Sequence, residues 1–348
     1  MSELPEILDA IVVGAGWAGL TCARSLQAAG WNVRILEKSR GWGGRAARRR
    51  LLPEGMAEHG LPALAEGWPA IDALITLGRD RGLLELWRAE HWQWTEGQIQ
   101  PRSLPPQWIA PAGLSGLARA YGEGIPVEVQ QRASQVTWQG DRWQVQTDQG
   151  DCYAARHLGL FVPAPQAQEL LPLDLQPASL GTACYDPCIT VIACYGDRSL
   201  ELPGSQMEGW TIAAAEPRDW RWLALDSSKR REPSETVVVL HSSAAWAEAH
   251  FEDSDLIQAG HSLLQSVEAD LALSLEQPRS LQVHRWRYAF PQITVPESML
   301  TLRDRGVCGG DWCRGTAMAS NLPIGGNAFV AQAIASGEAG AQQLLMAD

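Results

Sequence analysis

The first forty residues narrow what this chain can fold into more than any other stretch. Ala10 to Val13 is a short β-prone apolar run, and Gly14-Ala15-Gly16-Trp17-Ala18-Gly19 follows at once. Leu20, Ala23 and Leu26 then recur at helical spacing until Ala29-Gly30. Trp31 to Leu36 reads as a second strand, closed by Glu37. Strand, glycine turn, helix, strand and acid in that order form a dinucleotide-binding unit. Gly14 permits the tight turn, Gly16 lets backbone approach a pyrophosphate, and Gly19 lets helix and strand pack closely. The helix N-terminus at Trp17 and Ala18 faces the negative phosphates. Glu37 lies 23 residues after Gly14, where an acid accepts hydrogen bonds from the adenosine ribose hydroxyls.

The chain has 348 residues, enough for about two domains and a core that needs no metal or disulfide. Its net charge of −12 makes it a poor partner for a phosphate backbone, so no nucleic acid is expected. The aromatics are skewed, with 16 Trp against 5 Tyr and 4 Phe. The seven cysteines (22, 152, 184, 188, 194, 308 and 313) include no CxxC pair, so neither a zinc site nor a disulfide framework is indicated. A reduced thiol set is the default. MSELPEILDA lacks a signal peptide's basic and apolar regions, and no run approaches 18 apolar residues. A cytoplasmic protein with no membrane span is expected.

Lys38-Ser39-Arg40-Gly41-Trp42-Gly43-Gly44-Arg45 follows the ribose acid, and Cys308-Gly309-Gly310-Asp311-Trp312-Cys313 stands near the other end. Both resemble FAD proteins of the glutathione-reductase and amine-oxidase group. The resemblance implies that Gly43 and Gly44 run under the flavin diphosphate, with Arg45 supplying charge and Lys38 beside them. Gly310 and Asp311 would contact the ribityl–pyrophosphate stretch. Arg48-Arg49-Arg50 reads as a charge run with at least two members solvated.

Further segments extend the likeness in order along the chain. They are Trp108 to Leu117, an alternating hairpin from Val127 to Thr147 containing Val136, Leu158 to Gln166, Trp222 to Lys229, Val237 to His241, and His284 to Ala289. Together the string is similar to the bacterial renalase family, small FAD oxidases within the flavin amine oxidase group. That implies an α/β fold: a Rossmann-type FAD-binding domain of glutathione-reductase/amine-oxidase type, interleaved with an α+β substrate domain carrying a mixed or antiparallel sheet. The FAD part would take residues 1–70, 105–165 and 300–348, and the substrate part 71–104 and 166–299. Pro101 to Pro106 and Pro163 to Pro165 would mark crossings, and 205–235 would be polar and loop-containing. The resemblance also implies non-covalent FAD and oxidation of the 2- or 6-dihydro isomers of NAD(P)H to NAD(P)+, with O2 as acceptor giving H2O2. Val136 would lie near the adenine.

On a strand, His284, Trp286 and Tyr288 share one face while Arg285 and Arg287 share the other. Trp286 and Tyr288 are candidate catalytic residues, Trp286 as the wall of a nicotinamide slot, and His241 is the candidate partner of the carboxamide. The last helix, Phe329 to Leu345, would aim its N-terminal amides at the flavin pyrimidine edge, with Ala333 at the cofactor. Here the sequence departs from the family: Ala331-Gln332-Ala333 replaces Glu-Gly-Ala, Glu58-His59-Gly60-Leu61 replaces an Asp-His-Gly-Ala-like segment, and Met318 to Asn327 is extra. Two alternatives stand beside the dihydropyridine reading: a small-molecule or amine oxidase, and a flavin-binding protein without turnover. Amine oxidation commonly uses a lysine–water relay, and this chain has few lysines, among them Lys38 and Lys229.

Overall fold

The strand Ile7–Val13 is apolar on both faces and buried from Leu8 onward except at Asp9, as a central parallel strand must be. It pairs in parallel with Val33–Glu37 on one side and Cys152–Leu160 on the other. The computed structural model describes residues 7–51, 55–202, 204–215, 217–271, 273–303, 305–314 and 326–347. In it this sheet has eight strands. Val127–Val129 extends the Val33–Glu37 edge, and Trp143–Thr147 and Ala133–Trp138 add antiparallel strands beyond Cys152–Leu160. Gly306–Cys308 joins Cys152–Leu160 in parallel and brings Leu300–Leu302 with it.

Two helices from opposite ends of the sequence lie against each other on this sheet, Trp17–Ala28 and Gly326–Met346. Their approach is set by absent side chains. A Cβ on Gly337 would stand 2.2 Å from the Ala18 carbonyl oxygen, and one on Gly19 would stand 1.9 Å from that of Gly14. Gly14 itself has φ +103°, a conformation open to glycine at no steric cost. Of the expected insertion, Met318 to Gly325 lies outside the described residues.

The second sheet has seven strands in the order Ser280–Ile293, Cys184–Cys194, Val237–Ser242, Trp220–Leu225, Gly209–Ala214, Ala89–Thr95 and Gln98–Pro101. Neighbours run antiparallel except Gly209–Ala214 against Ala89–Thr95. The helix Leu256–Leu271 covers one face through Leu263, Leu264 and Val267. The chain thus has a Rossmann-like domain joined to a mixed sheet. Five tryptophans are fully buried, Trp143 and Trp312 in the core of the first sheet and Trp94, Trp210 and Trp220 in that of the second. Each satisfies its indole N–H: Trp210 donates to the Leu200 carbonyl, Trp220 to Asp270 and Trp312 to the Val162 carbonyl, for example.

The stretch 205–235 has the exposed loops expected of it, at 206–208, 217–219 and 231–234, but holds more than loops. It supplies two interior strands, and its charged residues Asp226 and Lys229 are sealed from solvent. The charges are buried because they neutralise one another. Lys229 Nζ lies 2.8 Å from Asp226 Oδ1 and 3.1 Å from Glu58 Oε2, and Arg230 pairs with Asp226. Glu58 also accepts the Leu114 amide at 2.9 Å. Glu58 belongs to the short strand Met56–Glu58, so this cluster ties the cofactor-side chain to the second sheet. Lys229→Met would leave two buried carboxylates with one arginine, and the loss of one partner from a buried ion pair costs about 3–5 kcal/mol. Urea denaturation of the variant should show a loss of that size, whereas a change under about 1 kcal/mol, the usual worth of an exposed pair, would contradict this account.

Candidate active site and cofactor groove

Between the two sheets lies a cavity of about 2170 Å³, well beyond the ~300–1,000 Å³ of an ordinary small-ligand pocket. It has room for a dinucleotide and a second molecule. Gly14, Gly16, Trp17, Ala18, Glu37, Lys38, Gly43, Gly44, Arg45, Gly310, Asp311 and Ala333 line it. Residues from the two ends of the chain therefore meet in one groove, and the first turns of the last helix border it at Gly326, Asn327 and Phe329. Gly19 lies behind the groove, where it serves helix–strand packing.

Val136 requires a correction. It is fully buried beside Trp143 and Val145 and does not line the cavity. The alternation of the strand sends it into the core, while Ala133, at the strand's start, lines the groove. Arg45 also differs from expectation. Its guanidinium is engaged by Asp311 and donates to the Ala289 carbonyl at 2.7 Å, so the charge it brings is already paired. Lys38 reaches Gln166 at 3.4 Å.

The groove fits a dinucleotide on grounds independent of motif. A Cβ on Gly16 would meet no atom within 4 Å, so nothing in the protein requires a glycine there, whereas a close-lying ligand does. A Cβ on Gly44 (φ +56°) would stand 3.6 Å from the Gly16 Cα. The first helix has no side-chain cap and no acid in its first turn, leaving its amides for an anion. Trp17 Nε1 is buried without a partner at the same wall. Glu37 is held by the amides of Ala15 and Ser39, both at 2.8 Å, which fix its carboxylate at the end of the second strand.

The opposite wall comes from three adjacent strands of the second sheet. His284 and Trp286 touch edge to face at 4.5 Å. His59, from the cofactor side, lies 4.9 Å from the Trp286 ring and 4.8 Å from that of His284. The His59 carbonyl accepts from Thr190 Oγ1 at 3.0 Å, Trp286 Nε1 at 3.1 Å and His241 Nε2 at 3.3 Å. Tyr288 follows along the same strand against Tyr185. Arg285 and Arg287 turn the other way, to the Asp253 carbonyl and Glu252. The reading of the sequence expected the segment around His59 near the isoalloxazine without naming His59 as a site residue, and gave no sign of Arg221 or Thr190. For His59 the signal was its place in the Glu58-His59-Gly60 segment; for the other two no local pattern exists.

The three imidazoles are neutral. Burial, with the Arg49 guanidinium and the neighbouring rings, pushes His59 down to about 3. Burial and Arg221 take His241 down to about 4, and burial and Arg49 take His284 to about 4. Arg48, Arg49 and Arg50 are all exposed, as the charge run suggested, yet they line the cavity. Among the described residues, twelve arginines and Lys38 line it against four carboxylates, a basic interior in an acidic protein.

These imidazoles generate a pH dependence. The unfolded chain takes up protons near pH 6.5, while His241 stays neutral until about 4. Its contribution is therefore complete above 6.5 and lost as pH falls through that window. The amount is about 3 kcal/mol at ~1.4 kcal/mol per pKa unit. Chemical denaturation at several pH values should show wild type losing stability more steeply than His241→Gln between pH 6.5 and 4; parallel curves would count against buried neutral imidazole.

Residues 12–74 match the NAD(P)-binding Rossmann-like domain family, and residues 90–345 match the flavin containing amine oxidoreductase family. Among solved structures, the chain is similar to wild-type putrescine oxidase bound to putrescine, with a TM-score of 0.71 and 16% identity over 98% of this chain and 99% of that one. It is likewise similar to cyclohexylamine oxidase from Brevibacterium oxydans, with a TM-score of 0.72 and 11% identity over 98% and 99%. At such identities the likeness speaks to the fold. The family match spans most of the sequence, and with the two-ended groove it gives the identity: the chain belongs to the flavin containing amine oxidoreductases and is an FAD-dependent oxidoreductase.

Proposed function

We propose that the protein oxidises a reduced nicotinamide nucleotide, a 2- or 6-dihydro isomer of NAD(P)H, to NAD(P)+, with O2 as final acceptor. The observation that carries this reading is a flat wall of Trp286 and neutral imidazoles that can orient a ring but offers no lysine and no strong base. A dihydropyridine needs no base, because the ring becomes aromatic as its hydride leaves. The FAD isoalloxazine, when bound, supplies the two-electron acceptor and passes the electrons to O2, so that dihydropyridine, O2 and one proton become pyridinium and H2O2.

The protein's task is then placement and electrostatics. Trp286 offers the stacking face, held by its indole N–H on the His59 carbonyl. Gly14, Gly16, Gly43 and Gly44 would carry the cofactor's diphosphate close to backbone, and Arg45 with Asp311 would meet its ribityl stretch. Arg49, which forms no hydrogen bond or ion pair among the described residues, stands near His59 and His284, where it favours a substrate phosphate. FAD would be held without a covalent bond: Cys308 and Cys313 lie outside the cavity lining, and burial holds both thiols protonated.

Amine oxidation is supported by family membership but opposed by charge. A cationic amine would enter a cavity lined by twelve arginines against four carboxylates. Of the chain's two lysines, Lys38 borders the cofactor groove and reaches Gln166, away from the Trp286 wall, and Lys229 is sealed with Glu58 and Asp226 outside the cavity lining.

Anaerobic mixing of the holoenzyme with 6-dihydro-NAD(P)H should bleach the flavin band rapidly, and air should then yield peroxide. Retained colour with full FAD occupancy would sink the reading, and bleaching by an amine panel instead would favour the alternative. Arg49→Ala should weaken the nucleotide about tenfold, as expected for a lost hydrogen bond to a charged group, and leave FAD content unchanged. Acid precipitation should release all the FAD into the supernatant.

A further inference from the structure

The three polar side chains that converge on the His59 carbonyl are not equivalent afterwards. A carbonyl oxygen only accepts, so His241 Nε2, at 3.3 Å from it, carries the ring hydrogen. In the neutral imidazole Nδ1 is then a lone-pair acceptor. Burial and Arg221 keep the ring neutral down to about pH 4. The Trp222 ring lies against the imidazole at 4.9 Å and 37°, which holds its plane. Turning the ring over would present carbon to the His59 oxygen and forfeit the bond.

The other two groups that meet the His59 carbonyl are spent. The Thr190 hydroxyl and the Trp286 indole N–H both donate to the same carbonyl. His59 Nδ1 is sealed and without a partner. His241 lines the cavity, and its Nδ1 has no hydrogen bond and is not among the sealed side-chain atoms.

We propose that His241, fixed in one tautomer by the His59 carbonyl, is a specificity-determining residue whose Nδ1 accepts one N–H from the substrate, and that the group it reads is a primary carboxamide on a planar heterocycle. This rests on the nicotinamide-nucleotide reading above and adds a direction to it: the protein accepts and the substrate donates. A ring bearing a ketone in place of the amide keeps its carbonyl acceptor and loses only the donor, so it discriminates this arrangement from one in which the histidine donates.

The experiment measures NAD+ and its 3-acetylpyridine analogue binding to the oxidised holoenzyme, by perturbation of the flavin spectrum. No electron transfer occurs, so differences in redox potential do not enter. Wild type should bind NAD+ about tenfold more tightly than the analogue, as expected when a buried acceptor loses its donor. In His241→Phe that ratio should fall to near one, at unchanged FAD content and circular dichroism. His241→Gln, which keeps an N–H for His59 and an oxygen acceptor, should retain part of it. Equal binding of the two dinucleotides by wild type would overturn the proposal alone, as would a ratio that survives in His241→Phe. If neither dinucleotide perturbs the flavin spectrum, the substrate reading falls and the proposal falls with it. The wild-type comparison decides the matter even if the phenylalanine variant does not fold.

Discussion

The carbonyl oxygen of His59 has two lone pairs and receives three donors, and those donors come from three neighbouring strands, Ser280–Ile293, Cys184–Cys194 and Val237–Ser242. Moving this atom would break all three bonds together, and in a nearly dry site each orphaned donor is costly. The residues on either side are held just as firmly. Glu58 is locked to Lys229, Leu61 donates its amide to the Arg45 carbonyl at 2.9 Å, and a Cβ on Gly60 would stand 2.1 Å from that carbonyl. Arg45 grips Asp311 and the Ala289 carbonyl. One short segment thus sets the register between the cofactor groove and the substrate wall.

On the proposed reading, rigidity of that kind matters because hydride transfer has little for side chains to do chemically. Its rate depends on holding two flat rings at the right separation with water excluded. Alignment of a ring on Trp286 is inherited from the segment that also sets Arg45, so the groove and the wall cannot drift independently. The charge distribution works toward the same end. A chain of net charge −12 concentrates arginine in the cavity between its sheets, and a basic cleft in an acidic body draws anions while rejecting cations. The same arginines, with burial, keep the imidazoles neutral, so the wall stays apolar enough to accept an uncharged ring.

Much of the cofactor groove was legible in the sequence because its elements are local. Gly14 to Gly19 and Glu37 are spaced by the geometry of one strand–helix–strand unit, and the segment Lys38 to Arg45 follows directly. The face shared by His284, Trp286 and Tyr288 was legible for the same reason, since strand alternation has period two. Val136 went astray by a single phase choice, because a register error of this kind sends a side chain to the opposite face. The burial of Lys229 and Asp226 left no sign in the sequence. Charged residues in a row resemble a surface loop, and nothing in their spacing reveals that Glu58, 171 residues from Lys229, cancels the charge.

The sequence by itself determined the dinucleotide unit and the shared face of the aromatic strand, because each is written in neighbours a few residues apart; the return of the chain's far end to the same groove it offered only through a family resemblance. Tertiary structure alone decided that His59 is the hinge pin of the site, that His241 presents an acceptor, that Arg45 arrives already neutralised, and that the arginines of an acidic chain share one cavity. Those facts depend on which strands lie side by side and on which charges are buried together. Such pairings are set by packing across hundreds of residues and leave no periodic trace along the chain.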